Sequence, residues 1–336
     1  MNMLASALLE TGSGSSGGDN PYTAGMAAAQ QALATIRIGP VSAVMVFASV
    51  RYDLPAVLRG IRAVLPEAPL FGATTAGEIC AASLQQGVVV TILASPYLKV
   101  SCGVGRDVSE NWRQAVDQAV GTPALMPYFT DPAFWNELTL TGTSVFAMLF
   151  SPGNTRSHIS KSYDILEALI QKSLGRLPVF GGSAADDWRM ETNWVMLGDE
   201  AYADSMVLAI FETQLQYGIA MAHGFTPTGA RATVTRADGH EILELDGQPA
   251  ATVYRRITSR SLAELEGQHL TMTTGYTMGT ADSLGQFSIN VASYCTARGG
   301  LLVTQPVAPG TVLTLMEAVP DSMISAGHNT NKASRL

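Results

Sequence analysis

Pro69-Leu-Phe-Gly-Ala-Thr-Thr-Ala-Gly-Glu78 returns later in the chain, altered, as Pro178-Val-Phe-Gly-Gly-Ser-Ala-Ala-Asp-Asp187. In both copies a Pro and a Phe-Gly lead into small residues and hydroxyls, with a carboxylate (Glu78, Asp187) at the same offset. Small side chains let a ligand or a second backbone approach closely, and hydroxyls with free N–H groups supply hydrogen bonds. One such loop is no more than a tight strand-to-loop turn. Two of them point to related half-sites that face one another.

The flanking sequence repeats as well. Residues 41–48 form a continuous apolar run, the pattern of a strand covered on both faces. Residues 54–65 carry Leu54, Val57, Leu58, Ile61 and Leu65 at helical spacing, with Asp53 at the N-cap and Pro55 in the first turn. After the motif come strands at 87–94 and 98–103. The second pass has a strand at 144–150, a helix at 163–174, the motif, and closing strands at 206–211 and 215–223. Insertions lie at 152–160 and 188–204, the latter carrying Trp188 and Trp194 as a lid or a sheet cover. The order strand, helix, motif, strand, strand is thus used twice, over about 41–105 and 144–224. With only two copies this is a duplication and not a solenoid, and its copies are expected to pack about a pseudo-two-fold axis with the loops meeting near it.

Ahead of the duplication, residues 11–20 read as a Gly/Ser-rich loop and 22–35 as a helix capped by Thr23. Beyond residue 229 the texture changes to short strands, with a hairpin turning at Asp238-Gly239 and a helix beginning near Pro249. The fold class is therefore α/β: duplicated strand-helix-strand-strand units forming mixed sheets, followed by a smaller carboxy-terminal α+β domain. The expected domains are 20–228 and 229–320, with flexible ends at 1–19 and 321–336.

Composition narrows the function. The chain has 336 residues, 47% hydrophobic and 14% charged, with a net charge of -8. That suits a compact globular protein and argues against nucleic acid or an anionic membrane as the main partner. Three separated cysteines, Cys80, Cys102 and Cys295, read as free thiols in a reducing compartment. No run reaches the roughly 18 apolar residues of a membrane span, and no secretory signal is recognisable at the start. A cytoplasmic location is expected.

No phosphate loop, nucleophile elbow, zinc-protease helix or dinucleotide fingerprint occurs. Ser183 has no base beside it in sequence, so ligand binding is favoured over catalysis. The candidate ligand groups are Thr74, Thr75, Glu78, Ser183, Asp186 and Asp187. Arg51, just after the first strand of the repeat, is a possible carboxylate clamp. An enzyme using Glu78, Asp186 and Asp187 as acid and base is the less favoured alternative. Among the five histidines, His223 stands out at the end of an apolar run, with Tyr217 and Met221 upstream. A neutral imidazole there could serve as an axial haem ligand.

Residues 69–79 resemble the signature of the amino-terminal FIST domain, and 178–187 its second half. His223-Gly-Phe-Thr-Pro-Thr-Gly229, Glu244-Leu-Asp-Gly-Gln-Pro-Ala250 and Tyr254 resemble the junction into the carboxy-terminal FIST domain. The resemblance covers about residues 22–317. It implies a sensory input module of prokaryotic signal transduction that binds a small ligand, an amino acid or similar metabolite. It also implies, for some members, haem that senses nitric oxide and regulates a histidine kinase or a cyclic-di-GMP enzyme. The chain departs from the pattern at residues 294–298, where a longer strand and turn are expected. With no kinase or cyclase segment recognisable, output is expected to run through a separate partner.

Overall fold

The computed structural model describes residues 8–37, 39–80, 83–84, 86–265 and 267–333. The chain divides into two units, residues 1–216 and 217–336. The first opens with β1 (Glu10–Ser16), α1 (Pro21–Leu33), β2 (Val41–Ala48), α2 (Leu54–Arg62), β3 (Leu70–Thr74), a short pair β4 (Glu78–Ile79) and β5 (Ser83–Leu84), and β6 (Val88–Ala94). It continues with β7 (Leu98–Gly105), α3 (Val108–Val120), α4 (Pro127–Thr130), α5 (Pro132–Leu140), β8 (Ser144–Pro152) and α6 (Ser162–Lys172). Strands β9 (Val179–Ala184), β10 (Trp194–Leu197), β11 (Glu200–Ala203) and β12 (Met206–Thr213) complete it.

Two sheets result, ordered β1-β6-β2-β3-β10-β11 and β7-β12-β8-β9. Each has one parallel pair, β2 with β3 and β8 with β9, and the registers correspond: Val44 opposes Leu70 as Ala147 opposes Val179. The sheets pack face to face. Successive side chains of a strand point to opposite faces, so Phe47 and Phe150 enter a core between the sheets with Phe71 and Phe211. Val44 and Val46 face α1 and α2, and Ala147 and Leu149 face the helices of the second copy. The apolar runs at 41–48 and 144–150 are therefore covered on both faces, as their pattern predicts.

The frame of the duplication differs from the one read in sequence. The stretch 11–20, expected as a loop, contains β1, which pairs antiparallel with β6 along its whole length. Strand β7, expected to close the first copy, instead opens the second and joins its sheet through β12. Glycines explain the equivalence. A Cβ on Gly12 or Gly14 would lie 2.1 or 2.2 Å from the carbonyl oxygens of Ala32 and Ala28 on α1. On Gly103 or Gly105 it would lie 2.3 or 1.9 Å from those of Ala119 and Ala115 on α3. In each copy a Gly-x-Gly strand lets an alanine-faced helix lie directly on it, so the repeats are 10–94 and 98–213. The α1 cap is Asn20, whose Oδ1 accepts from the Thr23 N–H at 3.0 Å, rather than Thr23 itself.

Residues 214–224, expected to include a closing strand at 215–223, have no regular secondary structure. The second unit holds β13 (Phe225–Asp238), β14 (Glu241–Leu245), β15 (Gln248–Pro249), α7 (Ala250–Thr258), α8 (Leu262–Leu265), α9 (Leu270–Thr274) and β16 (Tyr276–Ala281). It ends with β17 (Phe287–Asn290), β18 (Ala292–Cys295), β19 (Leu301–Val303), β20 (Val312–Ala318) and α10 (Pro320–Ala333). Its strands form one sheet, β17-β16-β20-β13-β14-β19-β18, with β15 paired to β14. Tyr254 is buried against it, its hydroxyl 3.0 Å from Thr274 Oγ1. The hairpin at Asp238-Gly239 is present, Asp238 opposing Glu241. The ends expected to be flexible are ordered elements instead, β1 and α10; residues 1–7 and 334–336 lie outside the described residues. Among the described residues no helix is long and apolar enough to cross a membrane.

Candidate functional site

Strands β3 and β9 run out at their carboxy-terminal ends into the two motif loops, and the loops meet. The Ala185 N–H donates to the Thr74 carbonyl at 2.8 Å and the Asp187 N–H to the Thr75 carbonyl at 3.2 Å. The Ser49 hydroxyl, from the end of β2, donates to Asp187 Oδ2 at 2.6 Å. The Phe-Gly of each motif has a steric cause. A Cβ on Gly72 or Gly181 would sit 1.9 Å from the carbonyl oxygen of Val46 or Leu149 on the neighbouring parallel strand. No side chain other than hydrogen fits there.

Most of the sequence-predicted ligand groups have internal partners. Thr74 is fully buried; its Oγ1 accepts from the Trp194 N–H at 3.0 Å and donates to the Trp194 carbonyl at 3.2 Å. Glu78, 2% exposed, accepts from Thr75 Oγ1 and from the Gly87 N–H, both at 2.6 Å, and so closes the loop between β3 and β6. Asp186, 3% exposed, accepts from the N–H groups of Met190, Glu191 and Thr192 at 2.9, 2.6 and 3.0 Å. Ser183 is exposed at the edge of its sheet, 2.8 Å from Ser162 Oγ, in a chain of hydroxyls that includes Ser151 and Ser160. Arg51 turns to the 17–19 loop, donating to the Gly17 carbonyl at 2.9 Å and pairing with Asp19 at 3.4 Å. The convergence therefore joins Thr74, Thr75, Asp186 and Asp187, while Arg51 lies with the loop ahead of α1.

Asp186 and Thr74 hold the two sides of one segment. Between them Asp187, Trp188 and Met190 adopt left-handed backbone conformations, a strain of the kind that surrounding structure has to impose. Trp188 is exposed, whereas Trp194 packs on the first sheet. The clamped segment, through Glu191, Thr192 and Asn193, forms one wall of a cleft of about 210 Å³. The opposite wall is the 152–161 insertion, and Ser109 and Asp204 close one side. The cleft thus stands at the carboxy-terminal end of β8, where open α/β sheets place ligands. Sequence reasoning missed Asn193, Thr155, Ser157 and Ser160. Their signal was only that a polar insertion followed each strand end of the second copy.

His223 stands in an exposed setting. It belongs to the irregular 214–224 stretch, its ring is exposed, and its Nε2 lies 2.9 Å from the Phe287 carbonyl oxygen. A carbonyl only accepts, so Nε2 carries the proton and the lone pair stands on Nδ1. Met221 is almost wholly exposed. The three cysteines are free, and burial pushes the Cys102 thiol up to about 12. Among the described residues no three His, Cys, Asp or Glu side chains come together as a metal site.

Comparison with known proteins agrees with the motif-bearing architecture. The FIST N domain family matches residues 42–248, more than half of the chain. The chain belongs to the FIST N domain family. FIST domains are sensory modules of signal transduction. A stretch of 102 residues is 30% identical to an uncharacterized protein of Methanocaldococcus jannaschii, covering 30% of this FIST chain and 20% of that protein. The chain thus spans about a fifth of that relative's length. Among solved structures, a cyanuric acid hydrolase from A. caulinodans is similar over 62% of this chain and 72% of its own, at 14% identity and a TM-score of 0.30. At that level the likeness bears on neither fold nor function.

Proposed function

We propose that this FIST protein is a ligand-binding input module, which takes a small molecule in the cleft beside the joined motif loops and passes the signal to a partner protein. The observation that carries the proposal is the clamp. Thr74 from the first motif and Asp186 from the second are both committed to the backbone of one cleft wall. A duplicated device whose polar groups converge on a single wall is suited to holding that wall at a fixed geometry, which is what selective binding requires. Binding would bias the arrangement that a partner reads. A histidine kinase or a cyclic-di-GMP enzyme is the class of partner implied by the family. The exposed setting of His223 favours this reading over a haem sensor, and the internally bonded Glu78 and Asp186 favour it over acid–base catalysis.

The test is a thermal-shift panel of small metabolites on the full chain. A true ligand at a hundredfold excess over its Kd contributes about 2.7 kcal/mol, a rise of roughly 5–10 °C for a unit of this size. It should be recovered unchanged by mass spectrometry, and Asp186→Asn should weaken it. No stabilising compound would count against ligand binding, and turnover of the stabilising compound would make the protein an enzyme. A Soret band on haem addition that disappears in His223→Ala would restore the haem reading.

A further inference from the structure

The clamped segment presents one residue that nothing else in the fold uses. Asn193 is 4% exposed as a residue, and its side-chain amide, with no partner from the described protein residues, opens onto the cleft. Its two N–H groups and its carbonyl oxygen are thus left to whatever enters the cleft. Asn193 lines the cleft together with Gly153, Ser160 and Thr192. The backbone is fixed on both sides of it, by Asp186 at 190–192 and by Thr74 at Trp194. Gly153 opposite keeps the space open: a Cβ there would be 2.3 Å from the Ala184 carbonyl oxygen and 3.6 Å from the Asn193 amide nitrogen. The amide is therefore held in place, within a cleft, with its donors and its acceptor unspent.

The other groups of the cleft limit what can pair with it. Lys161 is already matched by Asp164 at 3.7 Å. Asp204 accepts from the Ser109 N–H at 3.1 Å and from its hydroxyl at 2.5 Å. His158 Nδ1 lies 2.9 Å from Ser157 Oγ. With those charges and rings engaged, and the hydroxyls of Thr155 and Ser160 bonded within their own insertion, the remaining lining is the Thr192 hydroxyl and the carboxylate of exposed Glu191. An anion would meet Glu191 and leave the Asn193 oxygen unpaired, because a carboxylate only accepts. A cation would leave the amide N–H groups unpaired. A neutral edge with N–H beside C=O pairs both at once, as asparagine does with a nucleobase edge. The cleft volume of about 210 Å³ leaves room for one small ring.

On the reading of this cleft as the ligand site, we propose that Asn193 is its recognition residue and that the ligand is a small uncharged molecule with an amide edge, a lactam, carboxamide or pyrimidine-type ring. Two hydrogen bonds, one in each direction, would join that edge to the Asn193 side chain. The Thr192 hydroxyl would meet one of its remaining polar atoms.

The experiment uses the full chain labelled with nitrogen-15 and follows the Asn193 side-chain amide resonances, assigned by their loss in Asn193→Asp. The probes are uracil, 2-pyrrolidone, 1,3-dimethyluracil, acetate and glycerol. Uracil and 2-pyrrolidone should shift the Asn193 resonances saturably and raise the melting temperature. 1,3-Dimethyluracil, which has methyl groups in place of both N–H donors, should do neither. Asn193→Ala should weaken uracil about tenfold or more, since a site built around a hydrogen bond strongly rejects its loss. Should that variant fail to fold, the wild-type titration decides alone. Shifts with acetate or glycerol but not with the two lactams would overturn the amide class while leaving a ligand site in the cleft. Unmoved Asn193 resonances with all five probes would overturn the assignment of Asn193, and the proposed function would then stand or fall on the metabolite panel.

Discussion

Gly72 and Gly181 are the residues on which each motif turns, and they differ sharply from their neighbour Gly182. A Cβ at either of the first two meets a backbone oxygen at 1.9 Å, whereas at Gly182 it meets nothing within 4 Å. Backbone cannot yield as a flexible side chain does, so Gly72→Ala and Gly181→Ala should each destabilise by about 3 kcal/mol or more. Gly182→Ala should stay within about 0.5 kcal/mol of wild type, all three read from urea denaturation midpoints. In the second unit, burial pushes the half-buried His269 imidazole below its usual range, partly countered by a backbone hydrogen bond. Its Nδ1 caps α9 by accepting from the Met272 N–H at 3.5 Å, which a protonated ring could not do. The folded value lies below the unfolded one, so the contribution to stability is full above about pH 6.5 and is lost as pH falls through the folded value. Melting temperature should therefore decline from pH 7 to pH 5, and His269→Asn, a non-titrating cap, should flatten that decline. A steeper fall in the variant would refute the assignment. At this scale the sequence was informative about which residues are special and silent about why. Thr74, Glu78 and Asp186 were expected as ligand groups, and the structure engages each of them with backbone of the chain itself. Their partners, backbone N–H groups of Trp194, Gly87 and residues 190–192, lie far enough along the chain or in irregular enough backbone that no periodicity announces them.

Among the elements, β1 departs most from its sequence pattern. Its Gly/Ser composition has the chemistry of a loop, and an isolated strand of that kind would have no apolar face to bury. It becomes a strand because α1 needs a flat, side-chain-free bed and because β6 would otherwise present an open ladder. The β1 to β6 pairing runs from Glu10 opposite Ala94 to Ser16 opposite Val88. Deleting residues 1–16 should thus lower the melting temperature by about 5 °C or more and promote association through the freed edge of β6. Light scattering and a melting curve unchanged from wild type would show that β1 is dispensable. The matching Gly-x-Gly of β7 was a readable clue. Gly12 and Gly14 relate to Ala28 and Ala32 as Gly103 and Gly105 relate to Ala115 and Ala119, and that pattern marks the true start of each repeat.

For the molecule as a whole, the duplicated part and the rest are separate compact units that meet at residues 216 and 217, earlier in the chain than the change in sequence texture near 229. The strand β13, beginning at Phe225, belongs to the second unit. A fragment of residues 1–216 should therefore fold alone with a cooperative melt, and a fragment ending at 228 should gain no stability from its extra residues; calorimetry on the two distinguishes these outcomes. What the sequence by itself determined was the local and periodic part of the structure. Continuous apolar runs made strands buried on both faces, three-four spacing made helices, and the repeated Phe-Gly marked places where a ligand or a second backbone could come close. These features depend on residues close together in the chain. Only the tertiary structure decided which sheet β7 joins, that Asp187 reaches Ser49, and that Thr74 and Asp186 grip opposite sides of Asn193. Those outcomes depend on how two sheets stack through Phe47, Phe71, Phe150 and Phe211. Packing between distant segments, unlike helical or strand periodicity, leaves no regular mark on the order of residues.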